Sequence, residues 1–117
     1  MLFPKTLSIS GNMPFAQNEL ARCLAAMTGA YLGCAAQQIP AVVDGFISIV
    51  AALCAVRLSP AARDYLFLSH ASYEIGYRLA AKELGLEPCL LLDMRLGEGS
   101  GCPLMFQILK ASCAVLC

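Results

Sequence analysis

The chain has 117 residues, enough for one domain with a modest core. Eight acidic and eight basic residues cancel, 59% of the residues are apolar and only 14% are charged, with a mean hydropathy of +0.69. That balance leaves no electrostatic footprint for nucleic acid or for an anionic membrane surface, and it implies apolar area covered by a partner or by another part of the same protein.

Met1 to Pro14 carries Pro4, Gly11 and Pro14 without a sustained period and reads as an irregular lead-in over residues 1–14. From Phe15 to Gln37, Leu20, Leu24, Met27, Tyr31 and Cys34 recur at spacings of three and four, which predicts a helix. Gly29 and Gly33 lie on that face and would admit a closely packed neighbour. Pro40 ends the helix, Ala41-Val42-Val43-Asp44 reads as a short buried strand, and Gly45 turns the chain into a helix over Ile47 to Leu58, closed by Pro60. Tyr65 to Leu68 is the next strand, ended by Ser69 and His70. A helix over Tyr73 to Leu84 follows, stopped by Gly85. Cys89 to Leu92 is the third strand, then comes a glycine loop, and a last helix runs from Cys102 onward.

Apolar strands separated by amphipathic helices predict an α/β fold with alternating helices and short parallel strands, a partial three-layer Rossmann-like sheet over residues 15–117. The longest apolar stretch, Ile39 to Val56, contains Asp44 and is broken by Pro40 and Gly45, and the tail from Leu104 carries Lys110. Neither meets the requirement for a spanning helix, and no secretory leader pattern opens the chain, so a soluble cytoplasmic protein is expected. The seven cysteines have no CxxC spacing and a single histidine beside them, which points to reduced, structural thiols and to no metal site.

All three strands end in polar or glycine residues: Asp44-Gly45, Ser69-His70, and Asp93 through Gly101. In open parallel sheets ligands bind beyond the carboxyl ends of the strands, so these ends would share one edge. The loop Arg95-Leu96-Gly97-Glu98-Gly99-Ser100-Gly101 has glycines at alternate positions, suited to bringing backbone N–H groups onto an anion at a helix start. Glu98 opposes that anion, a combination that suggests an anion held where a proton is removed beside it. Taken alone, Glu98 reads as a solvated turn residue sooner than as a base, Asp44 as an ordinary helix cap, and His70 as a structural hydrogen-bonder rather than an acid or base.

Three segments resemble the nicotinate-nucleotide–dimethylbenzimidazole phosphoribosyltransferases. They are Ile39-Pro40-Ala41-Val42-Val43-Asp44-Gly45-Phe46-Ile47-Ser48, the stretch from Arg63-Asp64-Tyr65-Leu66 into Ser69-His70-Ala71-Ser72-Tyr73-Glu74-Ile75-Gly76, and Leu84-Gly85-Leu86-Glu87-Pro88 followed by the loop of Arg95 to Gly101. The resemblance runs from Leu24 to the C-terminus and corresponds to roughly the last third of a family member. It implies phosphoribosyl transfer from nicotinate mononucleotide to 5,6-dimethylbenzimidazole, giving α-ribazole 5′-phosphate in cobalamin lower-ligand synthesis. It makes Glu98 the general base, places Arg95, Gly97, Ser72, Ser100 and Gly101 near the nucleotide's phosphate, and gives Asp44 and Gly45 the neighbouring part of the pocket. It implies no cofactor.

In the family the segments forming most of the benzimidazole pocket lie N-terminal to this stretch. The expectation is therefore a truncated or split transferase with little activity alone, completed as a homodimer or by a complementing N-terminal chain. The alternative is an inactive fragment serving as a subunit-interaction or nucleotide-binding module.

Overall fold

A computed structural model describes residues 15–93 and 99–117. The expected lead-in therefore lies outside the described residues. Helix α1 (Phe15–Ala36) is followed by strand β1 (Ala41–Val43), helix α2 (Phe46–Leu58), a 3₁₀ turn (Pro60–Tyr65), strand β2 (Leu66–Leu68), helix α3 (Ile75–Leu84) and helix α4 (Gly101–Leu116). The α/β class is that expected from the sequence, and the element order matches it except at the third strand. Boundaries differ by one or two residues, mostly where the 3₁₀ turn takes up Tyr65 and where Tyr73 and Glu74 precede α3.

The two strands are parallel, with Ala41 opposite Leu66, Val42 opposite Phe67 and Val43 opposite Leu68. The expected third strand is reduced to a single parallel bridge between His70 and Leu90. Leu90 N–H donates to the Ser69 carbonyl at 2.8 Å and Ala71 N–H to the Leu90 carbonyl at 3.0 Å, after which pairing stops. The reason is local. Asp93 takes a left-handed backbone (φ 50°), which ends extension, and Leu91 stands 79% exposed.

Residues of β1, β2 and the helices around them build one core of Val43, Leu66 and Leu68 with Tyr31, Ile49, Tyr77 and Leu84. Ala51, Ala52 and Ala55, all fully buried, give α2 a face small enough for close approach. Across it α1 brings the Thr28 hydroxyl within 2.7 Å of the Leu24 carbonyl and 3.2 Å of the Ala51 carbonyl, so a buried polar group is satisfied at the helix–helix contact. The close approach comes from these alanines and not from Gly29 and Gly33, whose α-carbons face open space. Arg57 pairs with Glu83 between α2 and α3, an exposed ion pair that contributes little.

All seven cysteines are free thiols. Cys34, Cys54 and Cys102 are half-buried, as small apolar side chains would be, whereas Cys23, Cys89, Cys113 and Cys117 are exposed, against the expectation. Among the described residues no helix is long and apolar enough to cross a membrane. Only Gly101 and Met105 of α4 are buried; Leu104, Phe106, Ile108, Val115 and Leu116 are exposed, together with Ile75, Leu79, Leu91 and Leu92 elsewhere. The uncovered apolar area expected from composition thus includes α4, Ile75 and Leu79 of α3, and Leu91 and Leu92.

The end of α3 is tied down by Arg63, whose Nε donates to the Leu84 carbonyl at 2.6 Å and Nη2 to the Gly85 carbonyl at 2.7 Å. These are helix-terminal carbonyls without intrahelical partners, and a cation there also complements the helix dipole. Arg63→Ala is expected to cost about 1–2 kcal/mol in urea unfolding, with Lys restoring only part because it cannot reproduce the two-pronged geometry. An unchanged unfolding midpoint would refute this.

Candidate active site

Parallel pairing aims the ends of β1 and β2 the same way, so Asp44, Ser69 and His70 emerge at one edge of the sheet, and the bridge at Leu90 brings the chain toward Asp93 beside them. The first turn of α4 arrives at the same edge. Asp44 is the meeting point. Its Oδ2 accepts the Gly99 N–H at 2.9 Å and its Oδ1 the Gly101 N–H at 3.4 Å, while Oδ1 lies 3.6 Å from Nδ1 of His70. Asp44 is therefore not the cap of the helix it precedes. Gly45 holds that position in extended backbone, without a side-chain bond, and Asp44 reaches more than fifty residues along the sequence to cap α4. The two readings weighed for it from sequence, local cap or pocket wall, both missed this contact.

Ser69 and His70 form the buried floor beneath the carboxylate. The Ser69 hydroxyl donates to the Val43 carbonyl at 2.9 Å, and its oxygen lies 3.1 Å from Nδ1 of His70. With the serine's single proton committed to Val43, Nδ1 is the donor in that contact. The same ring edge faces Asp44. This is the structural hydrogen-bonding role weighed from the sequence, made in the interior. Gly101 packs directly onto it: a β-carbon there would lie 2.3 Å from Nδ1 of His70 and 2.8 Å from Oγ of Ser69. Gly99 holds φ 75°, a left-handed backbone that favours glycine. Two of the loop's three alternate glycines are thus required by geometry.

Of the remaining expected residues, Gly45 is half-buried beside Asp44, and Ser100 is the half-buried residue preceding α4, with helical backbone. Ser72 lines a cleft of about 210 Å³ beyond the strand ends, together with Ala71, Tyr73, Arg78, Leu91 and Asp93. The Tyr73 hydroxyl donates to Asp93 at 2.8 Å across it. Arg78 was not singled out from sequence because it sits in the first turn of α3, outside the strand ends. Arg95, Gly97 and Glu98 lie outside the described residues. Among the described residues no group of three or more His, Cys, Asp or Glu side chains could hold a metal ion.

Asp44 also sets the protonation of its surroundings. Burial, and then the charges of Asp44 and Cys89, push the Tyr77 phenol up to about 12. Tyr31 is likewise raised to about 12, chiefly by burial, with Cys102, Asp44 and Cys34 adding to it and a hydrogen bond to Ser48 opposing it. Burial and the Asp44 charge raise the Cys102 thiol too. Both phenols and the thiol therefore keep their protons to a higher pH than usual. Tyr77 is 1% exposed and its hydroxyl has no partner among the described residues.

A family model described as Phosphoribosyltransferase matches residues 21–117. The nicotinate-nucleotide–dimethylbenzimidazole phosphoribosyltransferase of Clostridium perfringens is 57% identical over 93 residues, which are 80% of this chain and 26% of that protein. The chain belongs to this phosphoribosyltransferase family. The Azotobacter vinelandii protein of the same name is 52% identical over 90 residues. The crystal structure of the Thermus thermophilus phosphoribosyltransferase superposes with a TM-score of 0.71 at 43% identity, covering 75% of this chain and 27% of that one. The chain thus spans about a quarter of the length of its curated relatives, somewhat less than the third expected from the motifs.

Two outcomes follow for this phosphoribosyltransferase segment. Gly101→Ala is expected to destabilise by about 1–3 kcal/mol, because the methyl group meets a buried imidazole that cannot retreat; unchanged thermal unfolding would contradict the packing. Tyr31 and Tyr77 keep their protons to about 12 when folded, against the ordinary 10.0. The folded state therefore binds more protons than the unfolded one across that window. Their contribution is complete below pH 10 and is lost as pH rises to 12. In urea titrations Tyr77→Phe should remove about half of this alkaline decline and, by deleting an unpartnered hydroxyl, leave neutral-pH stability equal or higher. An unaltered alkaline slope would count against it.

Proposed function

We propose that residues 15–117 form part of a phosphoribosyltransferase domain carrying the general base and part of the nucleotide site for transfer from nicotinate mononucleotide to 5,6-dimethylbenzimidazole. The observation that carries this reading is the convergence of family motifs at one place. The Asp44 end of β1, the Ser69–Ser72 end of β2 and the first turn of α4, into which Glu98 leads, meet at the carboxyl edge of a parallel sheet. Relatives matching over this segment are named for that reaction.

In this reading one ring nitrogen of the benzimidazole attacks C1′ of the mononucleotide with its lone pair. The C1′–N bond to nicotinate breaks, its electron pair staying on the pyridine nitrogen. The proton on the other benzimidazole nitrogen passes to Glu98. α-Ribazole 5′-phosphate and nicotinate result, and no external oxidant or reductant is needed. Ser72, Arg95, Gly97 and Ser100 bear on the phosphate, and Gly45 on the adjoining part of the nucleotide. The reaction belongs to cobalamin lower-ligand synthesis in the cytoplasm.

The benzimidazole wall is supplied by the part of the family sequence not present in these residues, on a complementing N-terminal chain; a homodimer would instead cover apolar faces with a second copy. The apolar residues left exposed on α4 and at Leu91 and Leu92 support such a covering contact. The same exposed residues favour the second reading, a subunit-interaction module in which Glu98 has no role.

One substitution separates the two. With a polypeptide supplying the remaining three quarters of the family sequence, Glu98→Gln should lower transfer by about a hundredfold or more and leave nicotinate mononucleotide binding within about threefold. Transfer unaffected by that change would overturn the catalytic reading. The 117-residue chain alone is expected to give little turnover, and a normal enzymatic rate from it would overturn the need for a complement.

A further inference from the structure

We propose that Asp44 is a positioning residue: its carboxylate fixes the Gly99–Gly101 turn at the start of α4, and so sets where the preceding residue, Glu98, is delivered. The inference deepens the transferase reading and rests on it only for the role of Glu98. It departs from the family expectation in what it assigns to Gly101, whose N–H serves the carboxylate rather than the phosphate.

The geometry argues for a clamp. The two Asp44 oxygens take N–H groups two residues apart, at 2.9 and 3.4 Å, on the one stretch of backbone that leads out of the glycine loop. N–H groups at a helix start lack intrahelical acceptors and carry the positive end of the helix dipole, so an internal carboxylate satisfies both needs. His70 and Ser69 pack against the same turn, where Gly101 leaves no room for a side chain. Gly99 is further committed by its left-handed backbone and by accepting the Cys102 N–H at 3.0 Å. The turn is therefore held by the carboxylate and packed against the buried imidazole. A phosphate on the same two amides would bring like charge against Asp44. The nucleotide's anion is better met by hydroxyl and cationic groups along the edge, such as Ser72 in its cleft with Arg78.

The test is made on the full 117-residue chain by amide hydrogen exchange, read at Gly99 and Gly101 with Ile49 and Ser69 as internal references. Asp44→Ala should speed exchange at both glycines by about tenfold or more without moving the references, and Asp44→Asn, which keeps an acceptor oxygen, should recover most of the protection. Equal rates in all three proteins would overturn the clamp.

Should Asp44→Ala not fold, the unsubstituted chain still decides. Gly99 and Gly101 should there exchange at least about tenfold more slowly than unprotected amides, and unprotected rates at both would overturn the proposal.

In the complemented transfer assay Asp44→Ala should reduce kcat about tenfold with KM for nicotinate mononucleotide within twofold, and Asp44→Asn should recover most of that loss. A raised KM at unchanged kcat would instead make Asp44 a nucleotide contact. Glu98→Gln must leave the glycine exchange rates untouched. Failure of the transferase reading would then appear only in turnover, and failure of the clamp in the amides.

Discussion

One carboxylate joins the two halves of this segment. Asp44 stands at the end of β1, within the part of the chain built on α1, α2 and α3, and its oxygens hold the first turn of α4. Without that contact α4 would be attached through little more than Gly101 and Met105. The negative charge is tolerable because it ends on helix-terminal N–H groups, because His70 lies alongside, and because neighbouring phenols and a thiol stay protonated. Packing and polarity are coupled here: Ser69 and His70 are buried, yet each has a partner, and Gly101 fits only because it has no side chain.

Much of this was legible in the sequence, and the exceptions have physical causes. Helices α1, α2 and α3 announce themselves by period and by Pro40, Pro60 and Gly85, and the strands by apolar runs between them. The parallel arrangement followed from alternation, and with it the gathering of polar strand ends at one edge. The third strand did not form because periodicity cannot show whether a neighbour will cover an apolar run. Leu91 and Leu92 have no covering neighbour among the described residues, and Asp93 turns the backbone away. The long-range cap by Asp44 was hidden for a different reason. An acidic residue before a helix reads as that helix's own cap, and only the tertiary fold reveals that its partners lie on α4.

The apolar exterior has a similar logic. A family segment of about a quarter of the relatives' length keeps the residue choices suited to a larger domain. Its interior closes around Ile49, Leu68 and Tyr77 because those contacts are made within the segment. Among the described residues nothing covers Leu104, Phe106, Val115 and Leu116 of α4 or Leu91 and Leu92. Tyr77 shows the same thing on a smaller scale, a buried hydroxyl whose partner is not supplied by the described residues.

The way α4 is attached has a mechanical consequence. Its sixteen residues extend about 24 Å at 1.5 Å per residue, and both of its buried positions fall in the first five. It is a lever with its fulcrum at the Asp44–His70–Gly101 junction. A tilt of about 5° there carries the far end about 2 Å. A load on the distal half of α4 therefore acts as torque about the Gly99–Gly101 turn, and the two Asp44 contacts are what resist it.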